Sequence, residues 1–188
     1  MKVITLHNNL NRLIAKAKQD NRKAHEQLYQ QFAPKMLSVC RQYIKDIALA
    51  EEVMVTGFFK AFTKMDSFRG EGSFEGWLRR IMIRESISFI RKEKKIHFDC
   101  EDAIVNNQQH ATYLETQLNV EHLQLIIDAL PEGYKLVFIM YAVEGYKHSE
   151  IAAALGITES TSKSQLFKAR KMLQRKLNQQ NSTQYGTH

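Results

Sequence analysis

The chain has 188 residues, of which 44% are apolar, enough for one medium domain or two small ones that each bury a modest core. It contains only eight Gly and two Pro, a composition that argues against a sheet protein with many turns and predicts an all-α fold. The formal net charge of +7 favours an acidic partner such as nucleic acid.

Residue usage also argues against metal and membrane chemistry. Cys40 and Cys100 are sixty positions apart without a CxxC or His-rich spacing, so neither a zinc site nor a disulfide framework is expected. The amino terminus has no apolar run of signal-peptide length, and no later segment approaches the length of a membrane span. We therefore expect a cytoplasmic protein with no membrane insertion, no metal and no cofactor.

Charge separates the chain into three blocks. Residues 1–95 carry nineteen basic and ten acidic side chains, residues 96–130 carry six acidic and no basic ones, and residues 131–188 carry eight basic and four acidic ones. Two basic parts flanking an acidic one predict two domains that meet a polyanion, joined by a segment of opposite charge.

Helical spacing of apolar residues predicts four helical segments in the first domain, over residues 3–17, 21–44, 48–65 and from Ser73 onward. Pro34 either kinks the second segment or opens the first turn of a further helix. The glycine-containing stretch SFRGEG precedes Ser73, whose hydroxyl is expected to cap the last helix. No function is predicted for the opening helix.

The pattern fails over residues 96–119, which predict a flexible acidic linker and therefore a domain boundary. The second domain is expected over residues 120–178, and residues 179–188 are expected to form a disordered tail. The first helix of the second domain is predicted over residues 120–129, and Pro131 begins the next helix. The residues of that helix expected to point inward are Leu136, Val137, Ile139, Met140 and Val143.

Residues 145–173, reading GYKHSEIAAALGITESTSKSQLFKARKML, predict a helix-turn-helix. Gly156 suits the left-handed conformation that ends a helix, and the Thr158 hydroxyl can cap the next helix. Between Glu159 and Asn178, six Lys or Arg face one acid, an imbalance that favours binding to DNA through counterion release. A helical hairpin with a solvated basic face is the alternative interpretation.

The second helix of this motif carries an apolar stripe of Leu166, Ala169, Leu173 and Leu177, and polar side chains that suit phosphates and base edges. Gln165 is a candidate for pairing with an adenine edge, although a Gln on an exposed helix is usually solvated. The residues expected to contact DNA here are Ser160, Thr161, Lys163, Ser164, Gln165, Lys168, Arg170 and Lys171.

Three groups of motifs resemble the bacterial RNA polymerase sigma factors of the extracytoplasmic-function (ECF) class, over roughly residues 20–178. They are AEEV followed by GFFKAF, then FRGEGSFEGWLRRIM, and finally ALPEGYKLVFIMYAVEGYKHSEIAAALGI with TSKSQLFKARKML. The resemblance implies a non-enzymatic subunit that binds core RNA polymerase at its clamp and flap, and promoter DNA in double-stranded and melted form. An anti-sigma factor is a further partner common in the family.

By this resemblance the first domain melts the minus-ten promoter element, and the loop from Phe68 to Ser73 receives a flipped base. Core packing is the alternative interpretation for Phe68, Phe74 and Trp77. The residues implied at the minus-ten element are Phe68, Arg69, Ser73, Arg79, Arg80, Arg84, Arg91 and Lys92.

The resemblance also implies that the second domain binds the minus-thirty-five element and that the third helix docks on the clamp. The implied polymerase contacts are Glu51, Glu52, Val55, Thr56 and Phe59, with solvated charge as the alternative for the two acids. Val55 and Thr56 depart from the Gln and acid common in the family. Further departures are Arg84 for Asn, Ser88 for Asp, Ser162 for Val and Gln165 for Arg.

Two other function classes are compatible with parts of the chain. A stand-alone helix-turn-helix regulator would explain the carboxy-terminal half but not FRGEGSFEGWLRRIM. An all-helical metal or nucleic-acid enzyme is disfavoured because the sequence has no ExxH pair, HExxH motif or phosphate-binding glycine loop. His97 and Cys100 are the nearest approach to a ligand pair, and no catalytic residue is expected.

Overall fold

The computed structural model describes the backbone of residues 2–93 and 120–184, and the side chains of residues 9–93 and 122–178. Every element in these ranges is helical, which confirms the all-α prediction. The chain divides into two compact units at Glu93, two residues before the predicted end of the first domain. The predicted linker, with His97 and Cys100, lies outside the described residues.

The first unit contains four α-helices: α1 (Lys2–Ala17), α2 (Arg22–Tyr43), α3 (Ile47–Thr63) and α4 (Phe74–Glu93). Helices α2, α3 and α4 pack against one another around fully buried side chains such as Leu28, Met36 and Met82. Two of the starts are capped by side chains, because the Asn21 carboxamide accepts from the Ala24 N–H and the Asp46 carboxylate accepts from the Leu49 N–H, both at 3.0 Å.

Pro34 lies inside α2, which continues as one helix to Tyr43, so the alternative of two separate helices is wrong. A proline in a helix interior removes a hydrogen bond and costs about 3 kcal/mol. The flanking residues Phe32, Met36 and Val39 are buried in the core, and this packing outweighs the local cost.

The second unit contains α5 (Val120–Asp128), α6 (Glu132–Phe138), a π-helical segment (Ile139–Val143), α7 (His148–Leu155) and α8 (Glu159–Gln184). Pro131 stands at the N-cap position of α6. Beneath these elements the Lys135 ammonium and the Asp128 carboxylate form an ion pair of 2.8 Å, with side chains only 4% and 1% exposed. Charges buried this deeply require each other, so the pair fixes α6 to the end of α5.

Two sequence predictions for this unit are wrong. Val143 is 47% exposed rather than inward, because the chain widens into the π-helical segment after Phe138 and the α-helical register no longer applies. Helix α8 continues to Gln184, so residues 179–184 are helical rather than part of a disordered tail. The remaining tail residues, 185–188, lie outside the described residues.

Candidate polymerase and nucleic-acid interfaces

The outer face of α3 exposes all five residues predicted to bind polymerase. Ala50, Val53 and Ala61 on the opposite face are buried against the rest of the unit, so this orientation is fixed by packing. Phe59 is 68% exposed, and Val55 is also largely exposed. Large apolar side chains grouped on one surface are typical of a protein interface. The five residues are Glu51, Glu52, Val55, Thr56 and Phe59.

Helix α4 presents a basic face along its length. Of the residues predicted to meet the minus-ten element, Arg80, Arg84, Arg91 and Lys92 are exposed and Arg79 is half-buried. Two of the three acids of the same helix are engaged with lysines of other helices, because Glu75 pairs with Lys35 at 2.8 Å and Glu85 pairs with Lys60 at 2.5 Å, and the third, Glu93, is the last residue of the helix. Cations therefore dominate the solvent side of α4.

A pocket of about 210 Å³ opens between the loop after the Met65–Ser67 turn and the first turns of α4. The Ser73 hydroxyl accepts from the Gly76 N–H at 3.0 Å, which confirms the predicted cap and fixes the start of the helix. The volume lies below the roughly 300–1,000 Å³ of drug-sized ligand sites. The pocket is lined by Ser67, Phe68, Arg69, Glu71, Gly72, Ser73, Gly76, Trp77 and Arg80.

Phe68 belongs to an aromatic cluster and is only 8% exposed. Its ring lies edge-on to Phe74, with centroids 5.4 Å apart, and 5.5 Å from the ring of Trp77. Burial makes Phe68 a wall of the pocket and part of the packed aromatic cluster, and its contact with a flipped minus-ten base stays a prediction. Trp77 is half-buried, so its ring serves both the cluster and the pocket.

The helix-turn-helix has the predicted corner. Gly156 adopts the left-handed conformation at φ 70°, and the Thr158 hydroxyl accepts from the Thr161 N–H at 3.0 Å. Ile151 and Leu155 are buried on the α7 side of the corner. The corner therefore holds α8 with one face against the unit and the other toward solvent.

Most predicted minus-thirty-five residues are accessible on α8. Thr161 and Lys168 are half-buried at the edges of the helix, and Lys168 lies over the Tyr134 ring. Arg170 lies over the Tyr141 ring, 5.6 Å from its centroid. The exposed members of the set are Ser160, Lys163, Ser164, Arg170 and Lys171.

Gln165 is the exception, because it is 5% exposed and lies on the buried face. The prediction that Gln165 pairs with an adenine edge is wrong for this conformation. Ser162, the neighbouring departure from the family pattern, is also buried, and its hydroxyl lies 2.9 Å from Nδ1 of His148. Both departures therefore alter the interior of the unit rather than the surface that α8 offers to DNA.

Phe167 is the residue that sequence reasoning missed. It is 67% exposed and lies on the same face as Ser160, Lys163, Ser164 and Lys171. Its spacing of three, four and seven from these residues was readable in the sequence as a position opposite the apolar stripe. An aromatic ring thus occupies the middle of the polar and basic face.

Neither thiol chemistry nor metal binding has support among the described residues. Burial raises the pKa of the Cys40 thiol to about 11, and the hydrogen bond with Ser86 opposes this shift only in part. Across residues 9–93 and 122–178, no three His, Cys, Asp or Glu side chains are grouped as metal ligands. No helix in the described part of the chain combines the length and apolar character needed to cross a bilayer.

The sequence matches two family models, Sigma-70 region 2 over residues 28–96 and Sigma-70 region 4 over residues 121–173, which together cover more than half of the chain. It is 26% identical over 179 residues to the ECF RNA polymerase sigma-E factor of Haemophilus influenzae, covering 88% of this chain and 93% of that protein. The protein of the same name from Escherichia coli strain K12 is 25% identical, covering 88% and 92%.

A solved structure, the sigma factor RpoE in complex with the anti-sigma factor NepR from Bartonella quintana, has the same fold. Its TM-score is 0.53 at 22% identity, over 81% of this chain and 96% of that chain. Because the first domain matches region 2, the alternative of a stand-alone regulator is wrong. The chain belongs to the sigma-70 family as an ECF sigma factor, a subunit that directs promoter recognition and transcription initiation.

Proposed function

We propose that three surfaces divide the work of initiation: the outer face of α3 binds the clamp of core RNA polymerase, the α4 pocket and arginines hold the melted minus-ten strand, and the outer face of α8 binds the minus-thirty-five element. The observation that carries this proposal is a pocket and a basic helix in the first unit of a chain whose second unit is a helix-turn-helix. A protein that only recognised double-stranded DNA would need the helix-turn-helix unit alone.

The exposed Phe59 and Val55 support the polymerase contact. Aromatic side chains in the middle of an interface contribute most of its binding free energy, with charged groups arranged around them. Glu51 and Glu52 provide such charges one turn before Val55. In the second unit, Leu123 and Leu125 are 41% and 39% exposed on α5, which supports a further protein contact with the polymerase flap.

The pocket supports strand separation. An unpaired base loses its stacking, at a cost of a few kcal/mol, unless another π-system replaces its neighbours. Trp77 offers a ring at the pocket wall, Arg80 adds a guanidinium, and Arg84 continues the basic face for the backbone phosphates. Such a pocket holds one base while the surrounding cations hold the strand.

The outer face of α8 supports duplex readout at the minus-thirty-five element. Lys163 and Lys171 suit phosphates or guanine edges, and the hydroxyls of Ser160 and Ser164 suit either donors or acceptors. Phe167 adds an apolar surface that fits the methyl group of thymine. The face therefore combines groups for binding strength with one group for base discrimination.

The remaining expectations follow from membership of the family. A sigma factor carries out no covalent chemistry of its own, so we propose that the chain is not an enzyme and acts in the cytoplasm, where core polymerase lies. The solved relative is bound to an anti-sigma factor. We propose that an anti-sigma factor also regulates this chain by covering the α3 or α8 face.

Reconstituted transcription tests the proposal. Purified core polymerase is supplied with the chain and genomic DNA, and the transcript starts are sequenced. Transcript starts that share two upstream elements support the proposal. Phe59→Ala should lower their yield when the chain is limiting, while a Val143→Ala control, which removes an exposed apolar side chain outside the proposed contacts, should not. The proposal is contradicted if core polymerase does not bind the chain, or if it starts transcripts at the same sites with and without the chain.

A further inference from the structure

The turn that follows α1 contacts the loop that forms the pocket. The Lys18 ammonium donates a hydrogen bond of 2.6 Å to the backbone carbonyl of Phe68, fifty positions away in the chain. The same ammonium lies 5.9 Å from the centroid of the Phe68 ring. A charged donor to a carbonyl and a cation near an aromatic face are both attractive, so one side chain holds Phe68 at two points.

The turn that carries Lys18 is itself firmly held. Ile14 and Ala17 at the end of α1 are buried, and Nε2 of His25 lies 2.9 Å from the Ala17 carbonyl oxygen. The next residues lead directly into the Asn21 cap of α2. The backbone of Lys18 therefore has a fixed position relative to the core, although its side chain is exposed.

Phe68 is held locally by the bond from its N–H to the Met65 carbonyl and by its packed ring, but the loop that follows it contains two glycines. Gly70 and Gly72 adopt positive φ values of 80° and 95°, and apart from their chain neighbours no residue comes within 4 Å of a Cβ placed at either position. Glycines in open space leave a backbone free to sample other conformations. A long-range bond to Phe68 restricts the loop at the point where its chain becomes the pocket wall.

We propose that Lys18 is a positioning residue for the base pocket. By holding the Phe68 carbonyl it fixes the Phe68 ring against Trp77, and this sets the width of the slot in which an unpaired minus-ten base stacks. The inference rests on the proposed function and deepens it, since it gives the segment before the Sigma-70 region 2 match a role in strand capture. A pre-arranged pocket binds a base with a smaller loss of conformational freedom.

The test uses the holoenzyme and a promoter fork whose minus-ten non-template strand is single-stranded, designed from the start sites that reconstituted transcription maps. Core polymerase is loaded with the wild-type chain or with Lys18→Met, Lys18→Arg or Lys16→Met. Lys16 is an exposed lysine on the same helix end, so Lys16→Met removes the same charge without the contact to Phe68. An abasic nucleotide is then moved through the minus-ten element one position at a time.

With the wild-type chain, we expect one abasic position to lower binding by about tenfold, the effect of losing one stacked base. The holoenzyme with Lys18→Met should bind the intact fork several-fold more weakly. Its binding should depend much less on the base at that one position, with no change at the other positions. Lys18→Arg and Lys16→Met should keep the wild-type profile. Equal thermal unfolding of all four chains shows that the fold is retained.

Two outcomes contradict the inference, and they are distinguishable. If the wild-type chain has no sensitive position, the pocket does not hold a base, and this part of the proposed function fails together with the inference. If the wild-type chain has a sensitive position and Lys18→Met keeps it, the pocket stands and the role of Lys18 is wrong. This second outcome includes uniformly weaker binding of Lys18→Met with an unchanged profile, since such a change reflects loss of charge only.

Discussion

The pocket of the first unit and the outer face of α8 are both proposed to hold DNA, yet they are assembled from different kinds of contact. The pocket is lined by a glycine loop and the first turns of α4, and Lys18, in the turn after α1, bonds to the loop. The α8 face needs one straight helix and a capped corner. A surface made by one helix survives small changes elsewhere, whereas a pocket that several segments line or hold depends on each of them.

The largest expected effect concerns stability, and it separates the two units. Lys135→Met leaves the Asp128 carboxylate buried without its cation, which should cost about 3–5 kcal/mol in the second unit. Trp77 is the only tryptophan of the chain and reports on the first unit, while far-ultraviolet circular dichroism reports on both. In a urea titration of Lys135→Met, the circular dichroism signal should begin to decrease at a lower urea concentration than in the wild-type chain. The Trp77 fluorescence should keep its wild-type midpoint.

Arg175→Met is the control for this measurement, because Arg175 is exposed on α8 in the same unit and its loss should change stability by less than about 0.5 kcal/mol. A common early midpoint for both signals in Lys135→Met would show that the units unfold together. The pocket and the α8 face would then not be independent surfaces.

A reciprocal pair of substitutions comes next. Phe59 and Phe167 are exposed to nearly the same extent, 68% and 67%, but we assign them to different partners. Phe59→Ala should weaken binding to core polymerase by tenfold or more, as expected for an aromatic residue central to an interface at about 2 kcal/mol. Phe167→Ala should leave core binding unchanged and reduce discrimination at one thymine of the minus-thirty-five element.

Core binding is measured by competition with a labelled sigma factor, and discrimination by the relative yield of transcripts from single-base promoter variants. Each variant serves as the control for the other, since both remove an exposed ring from a helix. Loss of core binding in both variants would indicate that the two rings cover a shared protein interface, and the assignment of Phe167 to DNA would fail.

Features of these surfaces that depend on residues close in the chain were predicted from the sequence, and features that depend on distant residues were not. Periodicity and caps predicted the cap of α4 at Ser73 and the corner at Gly156, because neighbours three and four positions away decide these features, whereas the five α3 residues came from the family resemblance. Gln165 is buried although its polarity predicts exposure, because it lies one turn before Ala169 on the packed face of α8, and the exposed position of Phe167 was not predicted at all. The Lys18 contact had no sequence signal, because a bond across fifty positions exists only in the folded chain.

Gln165 and Lys163 sharpen this distinction between the two sides of α8. Lys163→Ala should weaken promoter binding across sequences and reduce the salt slope by about one unit, as loss of one phosphate contact does. Gln165→Ala should leave both the slope and the base preference unchanged and should lower the stability of the second unit, because Gln165 is buried. The measurement is holoenzyme binding to promoter DNA over a series of salt concentrations. A change in base preference in Gln165→Ala would restore its original assignment as a base reader.

The smallest expected effects are those of the two caps, and they test whether the pocket is the more sensitive surface. Thr158→Ala and Ser73→Ala each remove one hydroxyl that accepts a backbone N–H, and each should cost about 1 kcal/mol of stability. Thr158→Ser and Ser73→Thr keep the hydroxyl and serve as controls.

Because Ser73 also lines the pocket, Ser73→Ala should slow promoter opening, measured by permanganate reactivity of unpaired thymines. Thr158→Ala should reduce promoter occupancy and leave the opening rate of bound complexes unchanged, and an equal effect of both variants on opening would contradict the greater dependence of the pocket on its parts.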